Sequence, residues 1–448
     1  MAIQPRDLPA GNIPGVSPPG ATGRRRVVSP SPAALAITIY TFLVLSRLPE
    51  VVPGLHLFRP ILVMAIIAIA MAATLAAKPA LPLLRSTESR AVLGLLVLVV
   101  ITIPTSFWPG GSLGFLVSGY SKTVMFFFLL LYCLRTLREF KRLVWGFVGA
   151  IAALEVAVLV LKVQGRAQVT ATYDPNDLAF VMVCGLPVVL ALWTVARGVA
   201  RWVLPALILL ALATTILTQS RGGFITLLVV VPLILLRLPS RVPFLRLGIL
   251  VVGIAFFLVI APTSYWDRIV TIWGGEPSTG DQYLEGGFKV ARWQIWKTGL
   301  QIIAAHPLLG VGAGSFMLAE GATHTTGKWY APHNSYIQLA AELGLGGLAL
   351  FVFLIYRTIR NYRQVIRLTR RDGRLRYHHQ LANGLEVATY AYMIGAIPLS
   401  QAYSEILYFL VAASVLLRHL TLGALARGAA TGRGASAVTA VPWWKASR

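Results

Sequence analysis

Long apolar runs, separated by short stretches that carry arginine and lysine, occupy most of the chain between residues 32 and 418. A helix that crosses a hydrocarbon core of roughly 30 Å needs about 20 mostly apolar residues. Runs of that kind lie near 32–47, 60–77, 91–107, 117–134, 143–162, 177–196, 202–218, 222–237, 246–261, 335–356, 385–399 and 402–417. The pattern predicts an all-α polytopic membrane protein of about twelve transmembrane helices. The first and eleventh runs are short, and the last two also read as a re-entrant pair. Residues 1–31, rich in Pro, Gly and Arg, read as a disordered basic tail. The expected order is then helices one to nine over 32–261, one large loop over 262–334, helices ten to twelve over 335–418, and a second tail over 419–448.

Basic residues fix the expected orientation, because lysine and arginine are retained on the cytoplasmic side. Arg24 to Arg26, then Lys78, Arg85 and Arg90, then Arg135, Arg138, Lys141 and Arg142 fall in alternate gaps between runs. Arg197 and Arg201, Arg237, Arg241 and Arg246, and a dense arginine stretch from Arg357 to Arg376 continue the alternation. Both tails and the 357–384 loop are therefore expected inside, and 262–334 outside. Inner loops of this length have no room for a catalytic domain, so chemistry is expected at the outer face.

Composition agrees. The chain of 448 residues is 56% hydrophobic and 12% charged, where a soluble domain carries about 25% charged residues. A net charge of +24 would suit nucleic acid. Here the charge sits in short gaps between apolar runs and forms no basic module, which argues against a nucleic-acid partner. Cys133 and Cys184 lie inside separate apolar runs and read as small buried hydrophobes.

The candidate chemistry lies at the outer edge. Arg221, in Thr218-Gln219-Ser220-Arg221-Gly222-Gly223, stands where the seventh run gives way to the eighth with almost no loop between them. Its guanidinium either grips a phosphate or reaches up to lipid headgroups. The outer loop carries Arg268, Lys289, Arg292 and Lys297 among tryptophans. From Phe288 to Ala304 the spacing of Trp293, Trp296, Leu300 and Ile303 predicts an amphipathic helix lying along the membrane surface. His333, in Pro332-His333-Asn334-Ser335, precedes the tenth run. A helix N-terminus there would favour a neutral imidazole, as a general base requires, and a structural histidine is the other reading. Asp174-Pro175-Asn176-Asp177 reads as a helix cap rather than a divalent-ion site. Gly310 to Ser315 lacks the lysine of a phosphate loop and reads as a flexible turn.

In order, Ser220-Arg221-Gly222-Gly223, Ala291-Arg292-Trp293 with His306-Pro307-Leu308-Leu309-Gly310-Val311-Gly312, and His333-Asn334-Ser335-Tyr336-Ile337-Gln338 with Glu342, Gly344 and Gly347 resemble the core of the bacterial O-antigen ligase and O-antigen polymerase family. The resemblance covers about 207–355. It implies a GT-C-like membrane glycosyltransferase of the inner membrane with its active site facing the periplasm. Such an enzyme takes a glycan from undecaprenyl pyrophosphate and passes it to lipid A–core or to a growing glycan, using no metal and no cofactor. The implied roles are Arg221 and Arg292 on the pyrophosphate, His333 on the acceptor hydroxyl, and Arg268, Asn334 and Glu342 in substrate binding. No second histidine flanks His333, as one does in some ligases. A polymerase of the same family is the nearest alternative, and a transporter or flippase of lipid-linked glycans is the alternative of another class. The candidate residues cluster at one face without the internal symmetry of a transporter.

Overall fold

The computed structural model describes residues 31–75, 81–161, 166–237, 251, 253, 255, 257–263, 265–266, 292–324 and 329–430. Among them there are helices and no strand. The principal helices are α1 (Pro32–Ser46), α2 (Pro60–Leu75), α3 (Thr87–Thr102), α4 (Pro109–Cys133, with a π-helical turn at Leu116–Tyr120), α5 (Leu137–Val160), α6 (Pro175–Trp193), α7 (Ala200–Leu217) and α8 (Arg221–Arg237). They continue as α9 (Arg292–Ala305), α10 (Phe316–Gly321), α11 (Ser335–Thr369), α12 (Arg376–Gly395) and α13 (Glu405–Ala430).

Local chemistry sets several of the starts. Ser31 caps α1 through Ala34 N at 3.1 Å, with Pro32 in its first turn. Thr136 and Glu139 form a reciprocal capping box on α5. Such caps satisfy amides that have no partner within the helix, which matters most where water is scarce. α6 lies at the centre, packed on α7, α8 and α12, and nearly all of its side chains are buried. α11 packs on α3, α12 and α13, and α1 packs on α5. α2 and α7 lie outermost and expose Val63, Ile66, Trp202 and Leu209, as helices facing lipid would.

Seven of the described helices are long and apolar enough to cross a membrane, and half of the expected ninth run, 246–261, lies outside the described residues. α1, α3 and α8 have 15, 16 and 17 residues. At about 1.5 Å rise per residue they fall short of a roughly 30 Å core. The final pair is two separate helices, α12 and α13, rather than a re-entrant hairpin.

Two segments expected as loop or tail are helical. α11 runs to Thr369, so most of the arginine-rich stretch from 357 is a helical extension. No glycine or proline interrupts it before Gly373, and its charges find partners. Arg357 Nε lies 2.9 Å from Glu88 Oε1, and Arg363 Nε lies 2.9 Å from Glu386 Oε1. α13 likewise continues to Ala430, past the boundary expected near 418, through leucines and alanines that favour helix. The expected tails at 1–30 and 431–448 lie outside the described residues.

α11 is broken at Gly344, whose φ of 71° and ψ of −177° are open to glycine alone. The Gly310–Ser315 turn fits into this break and is held there, not loose. Val311 N donates to Ala341 O at 2.8 Å, Gly312 N to Glu342 O at 3.0 Å, and Leu345 N to Pro307 O at 2.8 Å. Ser106, Ser112 and Ser315 join hydroxyls beneath it, with Ser112 Oγ also donating to Ala313 O at 2.7 Å.

Candidate functional site

His333 occupies a strained position. Its φ of 42° lies in the left-handed region that a residue with a Cβ adopts rarely. It is held there from both sides. Asn334 is the N-cap of α11, and its Oδ1 accepts from Tyr336 N at 3.0 Å and Ile337 N at 3.1 Å. On the other side, Trp296 Nε1 of α9 donates to Pro332 O at 2.9 Å. Ser335, the next residue, ties the helix start to the α12–α13 connection: its amide donates to Ala396 O at 2.9 Å, its hydroxyl donates to Leu399 O at 2.6 Å and accepts from Gln401 N at 2.7 Å.

Arg292 begins α9 and acts on His333. The half-buried imidazole is held below its ordinary range by burial first and by the positive charge of Arg292 second, while Asp174 pulls the other way. Burial and a neighbouring arginine thus account for the neutral imidazole that the sequence attributed to a helix N-terminus. α9 reaches this place by packing Ile295, Gly299 and Ile302 against α11 and against Val311, Phe316, Ala319 and Tyr330. Trp293 and Leu300, on the apolar face expected to lie along the membrane surface, are exposed, on the side away from that packing.

Asp174 caps α6, as its composition suggested, accepting from Asn176 N at 2.6 Å and Asp177 N at 2.8 Å. The same turn reaches Arg221. Ser220 caps α8 through Gly223 N at 3.1 Å and donates its hydroxyl proton to Asn176 Oδ1 at 3.0 Å. Arg166, which the sequence reading passed over, donates to that same Asn176 oxygen at 3.1 Å and to Thr218 O at 3.1 Å. Its signal was available: an arginine on a turn expected outside runs against the inward bias of basic residues. Gln401 closes the ring with a 2.7 Å bond to Asp177 Oδ1, and Pro398 packs against Gly222 beside Arg221.

The starts of α6, α8, α9 and α11 therefore meet at one end of the bundle. His333, Arg292 and Asp174 interact directly through their charges, and Arg221 joins them through the hydrogen-bonded turn at Asn176 and the contact at Pro398. Helix N-termini favour anions, and arginines grip phosphate oxygens, so the arrangement suits a phosphorylated ligand. Among the described residues, no group of three or more His, Cys, Asp or Glu is gathered as metal ligands would be.

The remaining candidates fall elsewhere. Glu342 is buried two and more turns along α11 and accepts from Tyr403 OH at 2.8 Å, in the layer that supports the Gly310 turn. Asn334 is engaged in capping. Arg268 and Lys289 lie outside the described residues. His324 pairs with Glu320 at 3.1 Å, and His306 is exposed at the end of α9.

Residues 205–352, about a third of the chain, match the family model described as O-antigen ligase. The matched segment contains Arg221, Arg292 and His333, and it bears out the resemblance drawn from the motifs. No curated protein matches the chain.

Proposed function

We propose that this protein is an integral-membrane glycosyltransferase of the O-antigen ligase type, which moves a glycan from undecaprenyl pyrophosphate to an acceptor hydroxyl at the periplasmic face of the inner membrane. The observation that carries the reading is the meeting of His333 and Arg292 at the start of α11, inside the segment that matches the family.

Transfer breaks the bond between the anomeric carbon and the pyrophosphate oxygen, and its electron pair leaves with the pyrophosphate. Charge grows on the leaving group, and Arg292 and Arg221 stabilise it there with charge-assisted hydrogen bonds. The acceptor hydroxyl oxygen bonds to the anomeric carbon and gives its proton to the neutral imidazole of His333. Asp174 stabilises the imidazolium that results. Arg166 positions the Arg221 turn through Asn176. Arg292 and Arg221 supply the positive charge that a divalent ion would otherwise bring, and the proposed reaction uses none. Lipid A–core is the proposed acceptor, and a growing glycan chain would make the same site a polymerase.

The test uses purified protein in detergent with an undecaprenyl-pyrophosphate-linked glycan, chelator, and lipid A–core or a glycan offered separately as acceptor. Transfer to one acceptor, abolished in folded Arg292→Ala and His333→Ala variants, is the expected result and names the branch. Folded variants that transfer like the parent would remove these residues from the site. Movement of the lipid-linked glycan across a vesicle membrane without transfer would favour a flippase.

A further inference from the structure

At the end of the bundle opposite His333, the α4–α5 junction, α12 and α13 enclose a cavity of about 430 Å³. Chain direction gives its location. α12 ends beside Ser335, whose amide bonds to Ala396 O. His378, which lines the cavity, lies about 18 residues earlier, or about 27 Å of helix rise. α13 starts at Glu405, 3.4 Å from Arg47, and cavity-lining Arg427 follows about 22 residues later, about 33 Å along the helix.

The lining is cationic. It joins Arg135 and Thr136 from the α4–α5 junction, His378 from α12, and His419 and Arg427 from α13, with no acid among its described residues. Glu139, close by in the first turn of α5, already accepts from the amides of Arg135 at 3.0 Å and Thr136 at 2.9 Å. His378 is buried, and its Nδ1 lies 2.8 Å from Thr421 Oγ1, which fixes the ring. Arg427 and His419 are exposed, Arg135 is half-buried, and His378 lies deepest, where burial holds its imidazole neutral, so the charge of the cavity rests on the two arginines.

Arg135, from the α4–α5 junction and also donating to Tyr132 O at 3.2 Å, and Arg427, from α13, both line the cavity, and a guanidinium's planar set of donors matches phosphate oxygens where a lysine offers only a point charge. The volume lies within the roughly 300–1,000 Å³ of small-molecule sites, far more than a simple inorganic ion fills. By the distribution of arginines this end is the inner one, where basic pockets between membrane helices meet anionic headgroups.

We propose that this cavity binds a phosphate ester, carried either by an anionic phospholipid headgroup or by a free phosphorylated small molecule. The site is separate from the proposed glycosyl-transfer centre and does not depend on it.

Native mass spectrometry of the full chain in detergent tests the proposal with three probes: dioleoylphosphatidylglycerol, glycerol 1-phosphate and, as the zwitterionic control, dioleoylphosphatidylcholine. One saturable site for phosphatidylglycerol or for glycerol phosphate is expected, with the control binding weakly. An Arg135→Ala/Arg427→Ala variant should weaken it by about tenfold or more, the scale of a lost charge-assisted contact. Retention by phosphatidylglycerol alone identifies a lipid site, and binding of glycerol phosphate at matching affinity identifies a soluble ligand. Arg427→Gln, at an exposed position near the end of α13, carries the test if the double variant does not fold. Equal binding of all three probes, or undiminished binding in these variants, overturns the proposal.

Discussion

Replacing Asn334 with alanine separates the support of His333 from its chemistry. The side-chain oxygen of Asn334 accepts from two amides, Tyr336 N and Ile337 N, and the residue is buried. Loss of an N-cap of this kind costs about 1–2 kcal/mol. The segment keeps other anchors: the Ser335 bonds to Ala396, Leu399 and Gln401, and the Trp296 bond to Pro332. The loss should therefore appear as local opening of the first turn of α11 rather than global unfolding. A cost of about 1–2 kcal/mol raises the open population roughly 5- to 30-fold. Hydrogen exchange at Tyr336 and Ile337 should accelerate by that factor, while amides midway along α12 exchange as before. Because His333 sits at a φ that it adopts only under constraint, a looser start also lowers kcat, with little change in KM for the lipid-linked donor. Unchanged exchange at these two amides in a folded Asn334→Ala protein would refute the capping argument. Faster exchange with full kcat would show that the strained conformation of His333 is irrelevant to turnover.

Three further outcomes are expected. If His333 is the base, the rate falls on the acid side as the imidazole protonates, at a pH below the ordinary histidine range; Arg292→Gln removes a charge that opposes protonation and moves that limb to higher pH, whereas Asp174→Asn moves it lower, and pH–rate profiles of residual activity that shift together would refute the arrangement. Gly344→Ala forces a Cβ into the Leu308 carbonyl at a backbone conformation that costs a non-glycine residue about 1–3 kcal/mol, so thermal unfolding should begin lower, and an unchanged midpoint would contradict the break described in α11. Tyr403→Phe deprives the buried Glu342 of a hydrogen-bond donor and should destabilise the protein by about 1–3 kcal/mol in denaturant titrations, and an unchanged stability would show that the pair is idle.

Apolar runs made most helices legible, and the arginine and histidine motifs marked the segment that matches the O-antigen ligase family. What the runs did not reveal was how far helices continue past them. α11 and α13 extend because helix propensity and ion pairs such as Arg357–Glu88 sustain a helix that hydropathy would end. The face of α9 that packs on the protein was not legible: large apolar residues marked the face of Trp293 and Leu300, which is exposed, whereas the packed face runs through Gly299, whose value is its smallness against Ile337. Arg166 and Asn176 are individually ordinary in sequence, and their role comes from two chain segments meeting at one amide oxygen. Such a junction leaves no local pattern to read.

The break at Gly344 bears on how this protein can be recombined with relatives. Carbonyls at Ala341 and Glu342, which an unbroken helix would satisfy internally, accept instead from Val311 and Gly312, and the displaced amide of Leu345 turns to Pro307. Two loop amides and one loop carbonyl thus take over the bonds that the broken helix gives up. A chimaera that imports the segment around Gly310 to Ser315 must bring the helix through Gly347 with it. A junction cut between 312 and 341 would leave both halves with mismatched backbone, however similar their side chains.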